Sequence, residues 1–598
     1  MERNFKEIWF VDFEFRAPDG NIPEPRCMVA KELKSKTLKR LWLHGRRIDE
    51  PPFDLGEDTL YVAYYGSAEV GCHLSLNWPV PKNLLDLFVE FRINMNGFTP
   101  HGGFSLLGAM SSFGLGHMAP STKDSMRDLA MREGDYTEDE KVALLEYCEE
   151  DVLSLELLYS KMSPLIDLER ALLRGRYMSS CAQVERNGIP LDSSLHKRLN
   201  SHWDEIKSEL ILEVDQSFGV YDDNVFKTAK FMDYLQRKKI NWPLLDSGNP
   251  MMDDETFSVM SLSHPEIIPL KELRSTLSKM RLKDLSIGED GRNRTLLSAF
   301  RSRTGRNQPS SSKFIFGASS WLRGLVKPEE GMSLAYIDWS QQEYGIAAAL
   351  SCDENMLKAY LSGDPYLAFA IQAGQAPEGA TKKSHKSIRD QFKAAVLAVQ
   401  YGMGAESLAM RIGESKARGR ELLQMHREAY PVFWRWSDAA VDKAMIEGRL
   451  RSVFGWEIKV SKDANPRSIR NFPMQANGAE MMRIAMILLT EDSVRVCAPV
   501  HDAFLIESET KHLDETIART REHMKTASRI ILGGFELESD AEVSKYPERF
   551  GNPGPGQFFS KVISILERIE GAPNEDAYLY LNHGRRVHPS YSLSKDFI

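Results

Sequence analysis

The chain of 598 residues is 42% hydrophobic and 27% charged, the balance of a globular protein, and is long enough for three or four domains. A net charge of −9 excludes a protein that attracts polyanions through its overall charge, but not one with a local basic groove. The six cysteines (Cys27, Cys72, Cys148, Cys181, Cys352 and Cys497) form no CxxC pair, which argues against a zinc centre or a disulfide framework. The start MERNFKEIWFVDFEF has no signal pattern, and no apolar run reaches the roughly 18 residues of a bilayer span. The expectation is a cytoplasmic protein with no membrane partner.

Residues 1–165 alternate strand-like and helix-like patterns. Strands are predicted over Ile8–Phe15 and Thr59–Tyr65. A helix is predicted over Glu138–Met162, with Val142, Leu145, Val152, Leu155 and Leu158 at helical spacing. Residues 167–297 read as charged, successive helices. From Arg292 to Lys327 there are eight basic residues and no acid, interleaved with Gly, Ser and Asn; this suits phosphate contacts as well as a solvated face. Beyond 330, the strand SLAYIDWS leads into the helix QQEYGIAAAL, and helices continue to about 447. A long helix follows over Ala476–Leu489, then a hairpin turning around Pro499–Asp502. A loosely ordered tail is expected from 561 to 598.

Asp12 and Glu14 lie two apart on a strand, so their carboxylates share one face. Two buried anions need a cation, and Mg²⁺ is the natural oxygen-liganded partner. Tyr147 and Asp151 are at i, i+4 on a helix and share a face. Such a set suits two-metal phosphodiester hydrolysis. Farther on, Asp338 ends a strand and Asp502 sits in the hairpin tip. Arg389 and Lys393, at i, i+4, present two cations that suit a triphosphate.

DFEF followed by EYCEEDV resembles the DEDDy 3′→5′ exonucleases, proofreading domains of RNase H-like fold. The resemblance gives Asp12, Glu14, Tyr147 and Asp151 as site residues. Its second motif departs from the family pattern, leaving either Glu69 or Asp86 as the remaining acid. DWSQQEYG, RDQFKAAVLAVQYG and VHDAF resemble motifs A, B and C of family A DNA polymerases. TGR at Thr304–Arg306 and NFPMQANGAEMMR add two further segments in the family's order.

The resemblance implies a multidomain α/β and α+β protein. It comprises an exonuclease domain (1–165), a helical thumb and connector (166–310), a palm (311–350 and 441–560) and fingers (351–440). Asp338 and Asp502 would hold two Mg²⁺ ions, for which Mn²⁺ can substitute, as at the exonuclease site. Lys393 would act with them in catalysis. Arg389, Lys393, Tyr401, Gln341 and Leu397 would face the nucleotide, and Glu343 would gate the 2′ position. Arg306, Arg467, Asn471, Gln475 and His501 would touch DNA. The implied partners are primer–template DNA and dNTPs; no accessory protein is encoded visibly.

Three positions depart from the polymerase pattern: Leu397 replaces an aromatic residue, Tyr366 a histidine, and Ala503 the closing glutamate of motif C. The layout leaves no room for a 5′-nuclease domain before Asp12. It is similar to compact bacteriophage enzymes, some relatives of which serve genomes carrying 2-aminoadenine. The alternative reading is a polymerase scaffold that acts only as a 3′→5′ exonuclease.

Overall fold

The segment EIWFVDFEFR carries large apolar side chains in both phases of the strand repeat, the pattern of a strand buried on both faces. In the computed structural model, which describes residues 5–116, 120–279, 282–400, 402–551 and 556–571, it forms β1 (Glu7–Arg16). β1 is the middle of a five-stranded sheet with β2 (Glu24–Glu32), β3 (Leu38–Trp42), β4 (Thr59–Ala63) and β5 (Leu84–Asp86), ordered β3-β2-β1-β4-β5. It pairs antiparallel with β2 and parallel with β4.

The two phases separate cleanly. Trp9, Val11 and Phe13 enter one core, while Ile8 and Phe10 enter another. The first face is covered by α1 (Gly66–Leu76), and α2 (Leu87–Met95) follows β5 directly. The second face is covered by α3 (Glu138–Met162), whose Leu144, Cys148, Val152 and Leu155 join Ile8 and Phe10. Asp12 and Glu14 share the phase of Ile8 and Phe10, so β1 turns its acids toward α3. A capping box between Thr137 and Glu140 starts α3. Val142 is exposed, and Leu144 takes the inward place that the spacing had given to it.

The chain divides into two compact units. One is Met1–Pro190 with Ser286–Gly317 and Pro328–Pro547; the other is Leu191–Leu285 with Ala318–Lys327 and Glu548–Ile598. The expected connector beginning at 166 therefore starts later. Helix α4 (Leu168–Asn187) belongs to the first unit, packed on α1 and β5. Gly175 explains the closeness: a Cβ there would lie 1.8 Å from the carbonyl oxygen of Leu84. The second unit contains helices such as Trp203–Asp215 and Ile268–Lys279. It also contains the helix Gln557–Glu570, which buries Phe559, Val562, Ile565 and Leu566. The expected loose tail thus begins inside an amphipathic helix, and residues 572–598 lie outside the described residues.

A second sheet in the first unit has the order β9-β10-β6-β11 and is antiparallel throughout. Its strands are β6 (Met332–Trp339), β9 (Arg495–Val500), β10 (Ala503–Glu509) and β11 (Ser539–Lys545). After β6 come α5 (Gln342–Ser351), α6 (Pro365–Gln372) and α7 (Lys386–Gln400). The short hairpin of β7 (Arg449–Arg451) and β8 (Glu457–Lys459) leads to α8 (Pro466–Glu491). α8 begins ten residues before the expected Ala476. Its Pro473 interrupts the apolar pattern and lacks a helical donor, but Pro466 at the first turn and the Asn465 cap start the helix upstream of it.

The basic run is largely built into the fold. Arg292 is 4% exposed and pairs with Glu507 and Glu329, Arg294 pairs with Asp290, and Lys313 pairs with Asp19. The phosphate reading fails for these positions because acids claim them, distant in sequence for Arg292 and Lys313 and four residues earlier for Arg294.

Glu90 on α2 and Arg174 on α4 form a buried two-point ion pair at 2.7 and 2.9 Å. Removing one partner leaves a buried charge, typically at a cost of about 3–5 kcal/mol. Arg174→Leu should lower the denaturation midpoint accordingly. The double variant with Glu90→Leu should recover much of the loss, measured by chemical unfolding.

Candidate active sites

Among the described residues, Asp12, Glu14 and Asp151 are the one group of three or more His, Cys, Asp or Glu side chains whose ligand atoms could share an ion. Their carboxylate oxygens lie within 4.8 Å of one another. β1 supplies the first two and α3 the third, across the face just described. Tyr147, one helical turn before Asp151, is hydrogen-bonded to it; burial first, then the charges of Asp151, Glu14 and Asp12, hold the phenol far above its usual range. The Cys148 thiol donates to the backbone oxygen of Asp12 at 3.2 Å and to its carboxylate at 3.4 Å, a contact that no motif signalled.

The two candidates for the remaining acid have different surroundings. Glu69, in the first turn of α1, is 3% exposed and accepts a bond from the Phe13 backbone. Burial, then the charges of Asp12 and Glu14, push its carboxyl well up, and its Oε2 has no partner. Asp86 instead accepts four backbone N–H bonds, from Tyr65, Gly66, Phe88 and Val89, at 2.7–3.3 Å. It is the N-cap of α2 and the clasp that holds the β4–α1 turn. Glu69 is outside the group of Asp12, Glu14 and Asp151 whose oxygens lie within 4.8 Å of one another, but its orphaned buried oxygen feels the charges of Asp12 and Glu14, a setting that a hard divalent cation fits.

In the second sheet, Asp338 on β6 lies opposite Ala503 of β10 and opposite Asp540 of β11. The Trp339 N–H donates to the Asp502 carbonyl at 3.1 Å, which fastens the hairpin tip beside Asp338. The tip is the two-residue turn His501–Asp502, with His501 at φ 55°; Pro499 is paired in the strand instead of turning, as the sequence had suggested. Asp540, missed in the sequence, accepts from the Ser340 hydroxyl at 2.7 Å. Carboxylates from two adjacent strands suit a divalent cation shared with a phosphate ligand.

Gln341 is the left-handed residue that starts α5, and Glu343 in the first turn accepts from Arg306 at 3.1 Å. Arg389, Lys393 and Leu397 lie along one face of α7, with Lys393 and Leu397 half-buried. Tyr401 lies outside the described residues. α8 is buried on nearly all sides. From 471 to 487, Asn471 and Gln475 are its half-buried positions, and they continue from exposed Arg467 as one stripe at four-residue spacing. The Asn471 side-chain oxygen has no partner. Gly402, at φ 62°, allows the turn after α7 to reach this stripe, since a Cβ would lie 2.4 Å from Arg467 Cγ.

Residues 282–545 match the model of DNA polymerase family A. The chain carries a family A DNA polymerase domain. It is similar to DNA polymerase I of Aquifex aeolicus, 24% identical over 413 residues, covering 65% of this chain and 70% of that one. It is 24% identical to DNA polymerase I of Chloroflexus aurantiacus over 381 residues, covering 58% and 40%, and 26% identical to the thermostable DNA polymerase I of Thermus thermophilus over 219 residues, covering 34% and 26%. The chain thus spans less than half the length of the last two. Its fold is similar to the POL domain of Pol1 from M. smegmatis, solved with DNA primer-template and dNTP, at a TM-score of 0.66 and 16% identity, covering 91% of this chain and 96% of that one. Among the described residues, no helix is long and apolar enough to cross a membrane.

Burial outweighs the four N–H donors of Asp86 and pushes its carboxyl from the ordinary 3.8 to about 6. The folded chain thus binds this proton more tightly than the unfolded chain. Stability from it is complete below about 3.8 and lost as pH rises through about 6. Asp86→Asn should flatten the pH dependence of stability across that window, measured by thermal unfolding at stepped pH.

Proposed function

We propose that this chain is a template-directed DNA polymerase that adds dNTPs to a primer 3′-OH and trims the same primer end with a 3′→5′ exonuclease. The observation that carries the reading is the surface of α8 beside the second sheet. A helix otherwise largely buried leaves Arg467 exposed and Asn471 and Gln475 half-buried in one stripe, and the strand β6 beyond α5 carries Asp338 next to its last residue, Trp339, whose N–H bonds to Asp502. Polar side chains in such a stripe fit the minor groove, where acceptors are common to all base pairs and shape is tested without reading sequence. The family A match over 282–545 supports the same assignment.

In this reading Asp338 and Asp502 hold divalent ions at the polymerase centre, and Asp12, Glu14, Asp151 and Glu69 hold them at the exonuclease centre. When bound, such ions lower the pKa of an attacking hydroxyl or water and neutralise the leaving oxygen. Arg389 and Lys393 bind the triphosphate, the first through forked donors and the second as a compact charge. Glu343 blocks the 2′ position of a ribonucleotide, and Arg306 fixes its carboxylate. At the other centre, Tyr147 orients the attacking water through its hydroxyl. Glu69, and not Asp86, completes the carboxylate set, because the oxygens of Asp86 are consumed by backbone donors.

Primer extension on a 5′-labelled primed template checks these assignments. Asp338→Ala should reduce extension by roughly 10²–10³-fold or more, the scale of losing one electrostatic stabiliser of the transition state. It should leave primer shortening without dNTPs intact. Asp12→Ala and Glu69→Gln should do the reverse. Shortening that survives Glu69→Gln, or extension that survives Asp338→Ala, contradicts the corresponding assignment.

A further inference from the structure

Tyr366 stands where the family resemblance leads one to expect histidine, a side chain able to donate to a phosphate. It is the second residue of α6, which packs along α7. The ring is 9% exposed, and one turn on, Phe369 meets Phe392 of α7 edge to face at 4.6 Å. The guanidinium carbon of Arg389 lies over the Tyr366 ring, 5.3 Å from its centre, and the Lys393 ammonium lies 5.9 Å from the same centre. The cap of α6 holds Arg389 from the other side. Asp364 accepts from the Leu367 backbone with one oxygen and from Arg389 Nε with the other.

Two cations one helical turn apart repel each other, and both carry long, mobile side chains. An acid placed between them would gather them but would also compete with an incoming anion. An aromatic face attracts cations through its quadrupole without neutralising them, and a cation held over a ring keeps N–H donors for other acceptors. Asp364 takes Nε of Arg389, the donor farthest back on the fork. The forward pair of nitrogens, of which Nη1 lies 3.7 Å from the Asp390 carboxylate, is the part that suits two phosphate oxygens.

We propose that Tyr366 is a positioning residue of the triphosphate site, whose ring face holds Arg389 and Lys393 side by side so that both meet one phosphate chain. The proposal rests on the polymerase reading for the identity of the ligand. It assigns the work to the ring and not to the hydroxyl, so the change from histidine replaces a donor by a platform.

The test uses the full chain without DNA, with inorganic tripolyphosphate and Mg²⁺ titrated calorimetrically. Tyr366→Phe keeps the ring and should bind within about twofold of the parent. Tyr366→Leu and Tyr366→Met fill the space without a ring and should bind about tenfold more weakly, the scale of losing cation–π contacts at a partly desolvated site. Two aliphatic variants guard against one that does not fold, and thermal unfolding of each checks this. In primer extension the same variants should raise KM for dNTP by a similar factor with kcat little changed, a split that a merely structural role does not give. A Phe variant as weak as the aliphatic ones, or aliphatic variants that bind like the parent, overturns the proposal. A chain that binds tripolyphosphate in this ring-dependent way but extends no primer supports the placement of the cations and contradicts the polymerase reading instead.

Discussion

Carboxylates that repel one another are held together here by backbone that gives them no alternative. β1 is buried on both faces, so its apolar side chains fix its phase, and Asp12 and Glu14 must face α3. α3 is fixed in turn by Leu144, Val152 and Leu155, which bring Asp151 and Tyr147 to the same place. Glu69 arrives from α1 with an unpartnered oxygen. Clustered like charge at a half-buried site is unfavourable without a cation. The apolar core therefore supplies the free energy that gathering these carboxylates costs. β6 does similar service in the second sheet, where pairing on both sides sets Asp338 against the hairpin tip.

A set of hydrogen bonds joins the helix layer of the first sheet to α8. Asn96, just after α2, donates to the carbonyls of Arg303 and Glu457 at 2.8 and 2.7 Å and accepts from the Lys459 N–H at 2.9 Å. Trp456 donates to the Arg303 carbonyl, and Arg483 of α8 to that of Gly305. The loop that ends at Arg306 is thus bonded to the first sheet's helix layer and to α8 together, and Arg306 reaches Glu343 from it. Buried polar bonds of this kind fix geometry more than they add stability.

Much of this was legible in the sequence where local pattern and chemistry coincide. The alternation in β1, the spacing in α3, and the runs around Asp338, Arg389 and Asp502 each announce an element and a side-chain set together. What escaped was long-range pairing. Nothing near Arg292 indicates that Glu507 will bury it, and nothing near Asp540 indicates that it will lie opposite Asp338. The choice between Glu69 and Asp86 was open for the same reason: residue type favours one and position the other. What the sequence does not show is that backbone donors from a turn twenty residues away occupy the Asp86 carboxylate. Pro473 hid the first turns of α8, and with them the helix that displays Arg467, Asn471 and Gln475.

The most direct test of the central claim is a crystal of the chain with primer–template DNA, a non-reactive dNTP analogue and Mn²⁺, read by anomalous scattering. The account predicts manganese peaks at two places, against Asp338 and Asp502 and against Asp12, Glu14, Asp151 and Glu69, with none at Asp86. A DNA-bound structure without manganese at Asp338 and Asp502, or with it at Asp86 instead of Glu69, contradicts it.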